Sequence, residues 1–120
     1  MRVSLESFNS ALESQSWRGP DAIHTLLLEN GQILIGHNRL AVIDPYERSD
    51  QPMISNDGRY VIAFNGEIYN HLTVRKQLAL VCQTASDTET ILEGYSKLGS
   101  EVVQLLDGMF AFVIYDKITE

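Results

Sequence analysis

The chain has 120 residues, 44% of them hydrophobic, which suits one domain with a single modest core. A formal net charge of −7 with scattered basic residues argues against nucleic-acid binding, because phosphate contacts need clustered Lys and Arg. No apolar run approaches the roughly 20 residues of a membrane span, and the first residues lack the apolar segment of a secretory signal. We therefore expect a cytoplasmic protein, and its one cysteine excludes an internal disulfide.

The start of the sequence predicts a helix and a β-hairpin. Apolar residues at helical spacing follow Ser4, a suitable N-cap, and predict a helix over residues 4 to about 15. The segments IHTLLL (23–28) and QILIGH (32–37) flank Glu-Asn-Gly (29–31), which is typical of a hairpin.

The middle of the sequence predicts two more strands and a long loop. RLAVI (39–43) has the composition of a short strand, and the polar segment 45–58 is long enough for a functional or mobile loop. RYVIAF (59–64) predicts a strand that stops where Asn-Gly-Glu (65–67) begins. Asn-Gly is the strongest short turn signal, so these residues form either a tight turn or part of a binding site.

Two helices are predicted in the last half. Asn70 is placed to cap a helix over residues 71–79. Ser86 and Glu89 have the spacing of a capping box, and Gly99 stands where a helix that begins there should end.

Three apolar segments lie between and after these helices. LVCQT (80–84) predicts a short strand, and EVVQLL (101–106) predicts a further helical turn or two. GMFAFVIYD (108–116) is nearly all apolar and predicts a central strand buried on both faces. Strands in hairpins with a few helices against them predict an α+β layered domain.

Six segments occur in an order that resembles one known family. They are RGPDA (18–22), GHNRLAVID (36–44), QPM (51–53), FNGEIYN (64–70), SDTETIL (86–92) and DGMFAFVIYD (107–116). From residue 5 to 117 the series closely resembles the glutamine amidotransferase domain of asparagine synthetases, the class II, N-terminal-nucleophile type. The resemblance implies layered antiparallel sheets with flanking helices, an αββα arrangement that is incomplete here. Residues 1–120 would be a partial type 2 amidotransferase domain, with the synthetase domain absent.

The resemblance also implies an activity. That family hydrolyses glutamine to glutamate and ammonia, and a synthetase domain or subunit uses the ammonia for amide synthesis in asparagine biosynthesis. Its nucleophile is an N-terminal cysteine whose own α-amine, titrating near about 8, acts as the base. Glutamine and a synthetase partner are therefore expected. No cofactor or metal is expected in this chain, since ATP and Mg belong to the synthetase.

The family's glutamine-binding residues match positions of this sequence. Arg39 matches the partner of the glutamine α-carboxylate, a role suited to a planar guanidinium. Glu67 and Asp87 match the acceptors for the α-ammonium. The neighbouring backbone that lines the same pocket is that of Leu40, Ala41, Val42 and Ile43.

Asn65 and Gly66 match the oxyanion hole, with the Asn65 side chain and the Gly66 N–H as donors. Each position also has a structural alternative: a simple turn at Asn65-Gly66, a solvated surface charge at Arg39, and helix-dipole support at Asp87. His24, His37 and His71 lack metal-like spacing and are expected to be structural.

The sequence departs from the family where the nucleophile should be. Met1-Arg2-Val3 leads directly into the first helix, without the short strand that begins with cysteine. Cys82 lies in an apolar segment and is expected to be an inert buried thiol. The alternative function is therefore a catalytically dead module that binds an amino acid or docks on a partner. Exposed sheet edges would favour self-association and marginal stability.

Overall fold

The computed structural model describes residues 3–42 and 44–119, which form a two-stranded and a three-stranded antiparallel sheet with helices packed against them. In chain order the elements are α1 (Leu5–Glu13), β1 (Ala22–Leu28), β2 (Ile33–Arg39), β3 (Met53–Ile54), β4 (Tyr60–Ile68), α2 (His71–Leu78), α3 (Asp87–Leu98) and β5 (Gly108–Asp116). Short 3₁₀ helices lie between them, including Gly99–Leu105. No helix in these ranges has the length and apolarity to cross a membrane.

The hairpin of β1 and β2 lies between α1 and β4. A Cβ on Gly36 would come within 2.8 Å of the Phe8 and Leu12 side chains, so α1 packs directly over this point of β2. The next residue, His37, points to the opposite face, because successive side chains of a strand alternate. Its Nε2 lies 2.8 Å from the carbonyl oxygen of Phe64 in β4.

The second sheet has the strand order β3-β4-β5 and carries the core on the face that meets α3. The buried cluster consists of Met53, Ile62, Phe64, Ile68, Ile91 and Leu92. Alternate residues of β4 thus face α3, as the two-residue period of a strand requires. The layers run α1, the β1–β2 sheet, the β3–β4–β5 sheet and α3 with α2 beside it. This confirms the predicted α+β class and αββα layering.

The helix near the N-terminus, the hairpin, the helices before and after residue 80, and the helical turns after Gly99 are confirmed. The prediction that a strand stops at Phe64 is wrong. β4 continues to Ile68, and Asn65 and Gly66 are paired with Ala111 and Phe110 of β5, so the alternative of a turn is wrong as well. Gly66 has a φ of +147°, and a Cβ there would lie 2.1 Å from the Met109 carbonyl oxygen. Glycine therefore allows the ladder to continue.

The prediction that GMFAFVIYD is a central strand buried on both faces is also wrong. β5 is an edge strand among the described residues, and β4 is the central one. Every second residue of β5 from Met109 to Val113 is exposed, while Phe110 and Phe112 pack against the core. A run of apolar residues does not distinguish a doubly buried strand from one with an exposed apolar face.

Two short strands that the sequence predicts are not formed. Residues 80–84 have no strand structure, and the carbonyl of Val81 instead accepts a hydrogen bond from the Asn56 side chain. Residues 40–42 extend beyond the end of β2 without pairing, and Ile43 lies outside the described residues. The predicted loop over residues 45–58 contains a 3₁₀ helix and β3, so it is partly regular.

The predicted N-terminal caps of α2 and α3 are confirmed only in part. Ser86 caps α3 by accepting from the Thr88 N–H at 3.1 Å. Glu89 does not complete a capping box, because its carboxylate accepts hydrogen bonds from the backbone N–H groups of residues 83 and 84. The Asn70 side chain does not cap α2 either, and instead bridges the Leu105 carbonyl and the Asp107 N–H.

Candidate functional site

A cavity of about 300 Å³ lies where the end of β2, the middle of β4 and the start of α3 meet. Its lining includes most of the predicted site residues: Arg39, Leu40, Val42, Asn65, Gly66, Glu67 and Asp87. Ala41 does not line it, and the Ala41 N–H donates to the Asp21 carboxylate at 2.7 Å. The fold thus brings together residues that are up to 48 positions apart in the chain, from Arg39 to Asp87.

Arg39 reaches the cavity from a buried position, so the alternative of a solvated surface charge is wrong. It is 6% exposed, and its guanidinium donates to Asp50 at 2.6 Å and to the carbonyls of Tyr46 and Asp44 at 2.9 and 2.5 Å. Burial alone would raise the pKa of Asp50, but hydrogen bonds from Arg39 and His24 outweigh it and lower that pKa. Direct pairing of Arg39 with a ligand carboxylate stays a prediction.

Two carboxylates line the cavity in different ways. Asp87 is 5% exposed in the first turn of α3, and its Oδ2 accepts from the Ile68 N–H at 2.9 Å. No described residue hydrogen-bonds to its Oδ1. Glu67 is exposed on β4, and its side chain has no hydrogen bond or ion pair within the described ranges. Both carboxylates therefore have acceptor oxygens available to a cationic ligand group.

Asn65 and Gly66 line the cavity from β4, not from a turn. The Asn65 side chain is exposed and forms no hydrogen bond with the described part of the chain. A side-chain amide without a partner is available to donate to a ligand oxygen. Whether the Gly66 N–H serves as the second oxyanion donor stays a prediction.

Gln51 is a buried cavity residue whose role the sequence did not predict. Its Oε1 accepts from the Phe64 N–H at 2.6 Å, and its Nε2 donates to the Thr88 hydroxyl at 3.2 Å. Gln51 thus joins the loop before β3 to both β4 and α3. The QPM segment belongs to the family resemblance, but no contact of Gln51 could be predicted from the sequence.

His37 also lines the cavity, and its hydrogen bonding shows which ring nitrogen carries a proton. A carbonyl can only accept, so Nε2 carries the proton that is donated to Phe64. Nδ1 is fully buried and has no hydrogen-bond partner in the described part of the chain. Burial lowers the pKa of His37, against the opposing effect of the Phe64 carbonyl. The sequence signal for a buried histidine here was a polar residue within the apolar segment QILIGH.

No thiol of the described residues lines the cavity. Cys82 is not among the lining residues, and burial raises the pKa of its thiol to about 11, as expected for an inert cysteine. The described ranges hold no cluster of His, Cys, Asp or Glu that could bind a metal ion. The charged and amide side chains that line the cavity suit binding by charge and hydrogen bonding.

Comparisons with known proteins agree with this geometry. A family model described as a glutamine amidotransferase domain matches residues 2–120. Asparagine synthetase [glutamine-hydrolyzing] 1 of Arabidopsis thaliana is 45% identical over 100 residues, which are 82% of this chain and 17% of that protein. The asparagine synthetase [glutamine-hydrolyzing] of Asparagus officinalis is 43% identical over 100 residues, 82% of this chain and 16% of that protein. The chain thus spans about a sixth of the length of these curated relatives.

Solved structures show the same relationship at the level of the fold. Glutamine phosphoribosylpyrophosphate amidotransferase from B. subtilis superimposes with a TM-score of 0.59 and 26% sequence identity, over 72% of this chain and 22% of that chain. The sheet layers described above are therefore those of an amidotransferase. From its matched residues and its fold, the chain belongs to the glutamine amidotransferase domain family.

Proposed function

We propose that this domain binds glutamine in the cavity and forms the glutaminase part of an asparagine-synthetase-like protein. The observation that supports it is the set of charges in one small cavity, with Arg39 on one element and Glu67 and Asp87 on two others. Arg39 suits the α-carboxylate of an amino acid and the two carboxylates suit its α-ammonium, while Arg18 adds a second cation to the lining. Asn65 adds a side-chain amide for the carboxamide end of glutamine.

Hydrolysis by the family's chemistry requires a thiol, and none of the described residues brings one to the cavity. The 120 residues have one cysteine, and Cys82 does not line the cavity. We expect these residues to bind glutamine without hydrolysing it. In a chain that places an N-terminal cysteine at the cavity, the same residues would orient glutamine while Asn65 and Gly66 stabilise the oxyanion. A synthetase domain or subunit, with ATP and Mg, would then use the ammonia.

Titration calorimetry with glutamine tests the binding. We expect Glu67→Gln to weaken glutamine binding about tenfold or more, because a charge-assisted hydrogen bond to the α-ammonium is lost. Glu101→Gln is the matched control, since Glu101 is exposed and does not line the cavity. Absence of a binding heat for wild-type protein, or equal losses in the two variants, would contradict the proposal.

The position of Cys82 also favours a second candidate, a catalytically dead module that binds an amino acid or docks on a partner. Glutamate release distinguishes the two roles. Glutamine binding without glutamate release by the 120 residues agrees with either candidate, and an added N-terminal cysteine segment that restores release supports the glutaminase. Failure of that segment to restore release in a protein that still binds glutamine would favour the dead module.

A further inference from the structure

β3 ends its pairing with β4 just where the cavity begins. Met53 and Ile54 pair with Ile62 and Val61, and the same antiparallel register would next place residue 51 opposite residue 64. β3 does not extend that far, and Pro52 has no N–H to donate to a ladder. The edge of β4 at Phe64 therefore has no strand neighbour on this side among the described residues.

Two side chains satisfy the backbone there in place of a strand. The Gln51 carboxamide oxygen lies 2.6 Å from the Phe64 nitrogen, and His37 Nε2 lies 2.8 Å from the Phe64 oxygen. Gln51 is 6% exposed and is itself held by Thr88 of α3. Both backbone polar groups of this one residue are thus fixed from different elements, one from the loop before β3 and one from β2.

We infer that Gln51 and His37 are positioning residues that fix β4 at the point where it presents Asn65 and Gly66 to the cavity. The Phe64 carbonyl belongs to the same planar peptide unit as the Asn65 nitrogen, so holding one fixes the orientation of the other. The inference rests on the proposed function for the role of Asn65 and Gly66. It assigns no contact between Gln51 or His37 and the ligand.

These two hydrogen bonds do more than satisfy buried backbone groups. A strand neighbour would place a second backbone against β4 and occupy the space beside Asn65. Side chains satisfy the same two groups and leave that space open. We therefore expect the loss of either side chain to change binding in the cavity, beyond any loss of stability.

The test compares Gln51→Leu with Asn70→Leu. Asn70 is a matched control, because its amide also bridges two groups of the chain but does not line the cavity. We expect glutamine binding by folded Gln51→Leu to weaken about tenfold or more, the ratio that corresponds to one or two lost hydrogen bonds. Asn70→Leu should bind within about threefold of wild type. Gln51→Glu, which keeps an acceptor for the Phe64 N–H, should restore most of the affinity.

A ligand-free measurement separates this inference from the proposed function. The NMR signals of the Asn65 and Gly66 amides should shift in Gln51→Leu and His37→Leu, and not in Asn70→Leu. If wild type fails to bind glutamine, the proposed function fails, and these signals still decide the inference. Wild-type affinity in folded Gln51→Leu, or unchanged amide signals, would overturn it. If Gln51→Leu does not fold, His37→Leu takes its place as the variant that loses a contact to Phe64, and Gln51→Glu remains the variant that keeps one.

Discussion

At the scale of single residues, His37 couples the cavity to pH. Its Nδ1 is buried without a hydrogen-bond partner among the described residues, so protonation would place a buried positive charge beside Arg39. Asp50 raises the pKa of His37, whereas Arg39 and His24 lower it further. Burial is the largest cause, and the pKa in the folded state lies below the ordinary value of 6.5.

A pH dependence of stability follows from that direction. Below about pH 6.5 the unfolded chain binds the proton that folded His37 does not, so the free energy of unfolding decreases as the pH falls toward the folded pKa. We expect His37→Gln to have a flatter decrease between about pH 7 and pH 5 in urea titrations. Burial also lowers the pKa of His71, which accounts for a remaining slope. Equal slopes in wild type and His37→Gln would contradict this, and Gln77→Asn, which changes no titratable group, serves as the control.

At the scale of elements, the β4–β5 ladder depends on two glycines at the cavity end. A Cβ on Gly66 would lie 2.1 Å from the Met109 oxygen, and one on Gly108 would lie 2.0 Å from the Glu67 oxygen. Both are backbone atoms that cannot rotate away. The two strands therefore approach each other more closely here than residues with a Cβ permit.

Gly66→Ala should accordingly destabilise the domain severely. We expect a loss of about 3 kcal/mol or more in the free energy of unfolding, from the steric clash and the positive φ. Gly58→Ala is the control: its φ of +76° is also unfavourable for alanine, but nothing lies within 4 Å of the new Cβ. We expect a loss of about 1 to 2 kcal/mol there. Urea denaturation measures both, and similar losses would show that the close approach matters little.

How much of the fold the sequence predicts differs from element to element for physical reasons. The hairpin and the helices are local, and their periods can be read within a few residues, whereas the side chains of Asn70 and Glu89 bind backbone groups elsewhere in the chain and do not form the predicted caps. The course of β4 past Asn65 could not be predicted, because Asn-Gly favours a turn locally and the ladder to β5 overrides that preference. Residues 80–84 have a strand-like composition, but no described strand pairs with them.

Several residues of the candidate site could be predicted from the sequence, but the contacts of others could not. The family resemblance identified Arg39, Asn65, Gly66, Glu67 and Asp87, and all of them line the cavity. The hydrogen bonds of Gln51 could not be predicted, because they depend on where β3 ends relative to β4, and strand register is a tertiary property.

At the scale of the whole molecule, the buried core lies on the side of the β3–β4–β5 sheet that faces α3. The buried apolar side chains of the described residues are Met53, Val61, Ile62, Phe64, Ile68, Val74, Ile91, Leu92 and Val102. None of them belongs to α1 or to the β1–β2 sheet. The apolar side chains of that sheet are half-buried or exposed, so its docking onto β4 contributes less hydrophobic free energy than the core against α3 does.

We therefore expect marginal stability for the isolated 120 residues. The small, one-sided core predicts a thermal midpoint below about 60 °C, within the range of small mesophile domains. Circular dichroism melting measures it. A sharp transition above that temperature would mean that the half-buried side chains of the first sheet stabilise the fold more than their exposure indicates.

The exposed face of β5 predicts self-association. Met109 is 72% exposed and Val113 is 54% exposed, and with Ala111 between them they form an apolar strip on an edge strand. Association of two copies would remove this strip from water, and a free edge can pair with another strand. We expect the sedimentation coefficient of the 120 residues to rise with protein concentration.

Replacing the strip tests whether it is the surface that associates. Met109→Gln combined with Val113→Thr keeps the strand propensity at Val113 and removes apolar surface, so the concentration dependence should disappear. Leu72→Gln is the control, because Leu72 is 66% exposed on α2, away from the strip. If Leu72→Gln suppresses association and the double variant does not, the contact lies on α2. A wild-type protein that sediments as a monomer at all concentrations would show that one exposed strip of this size does not hold two copies together.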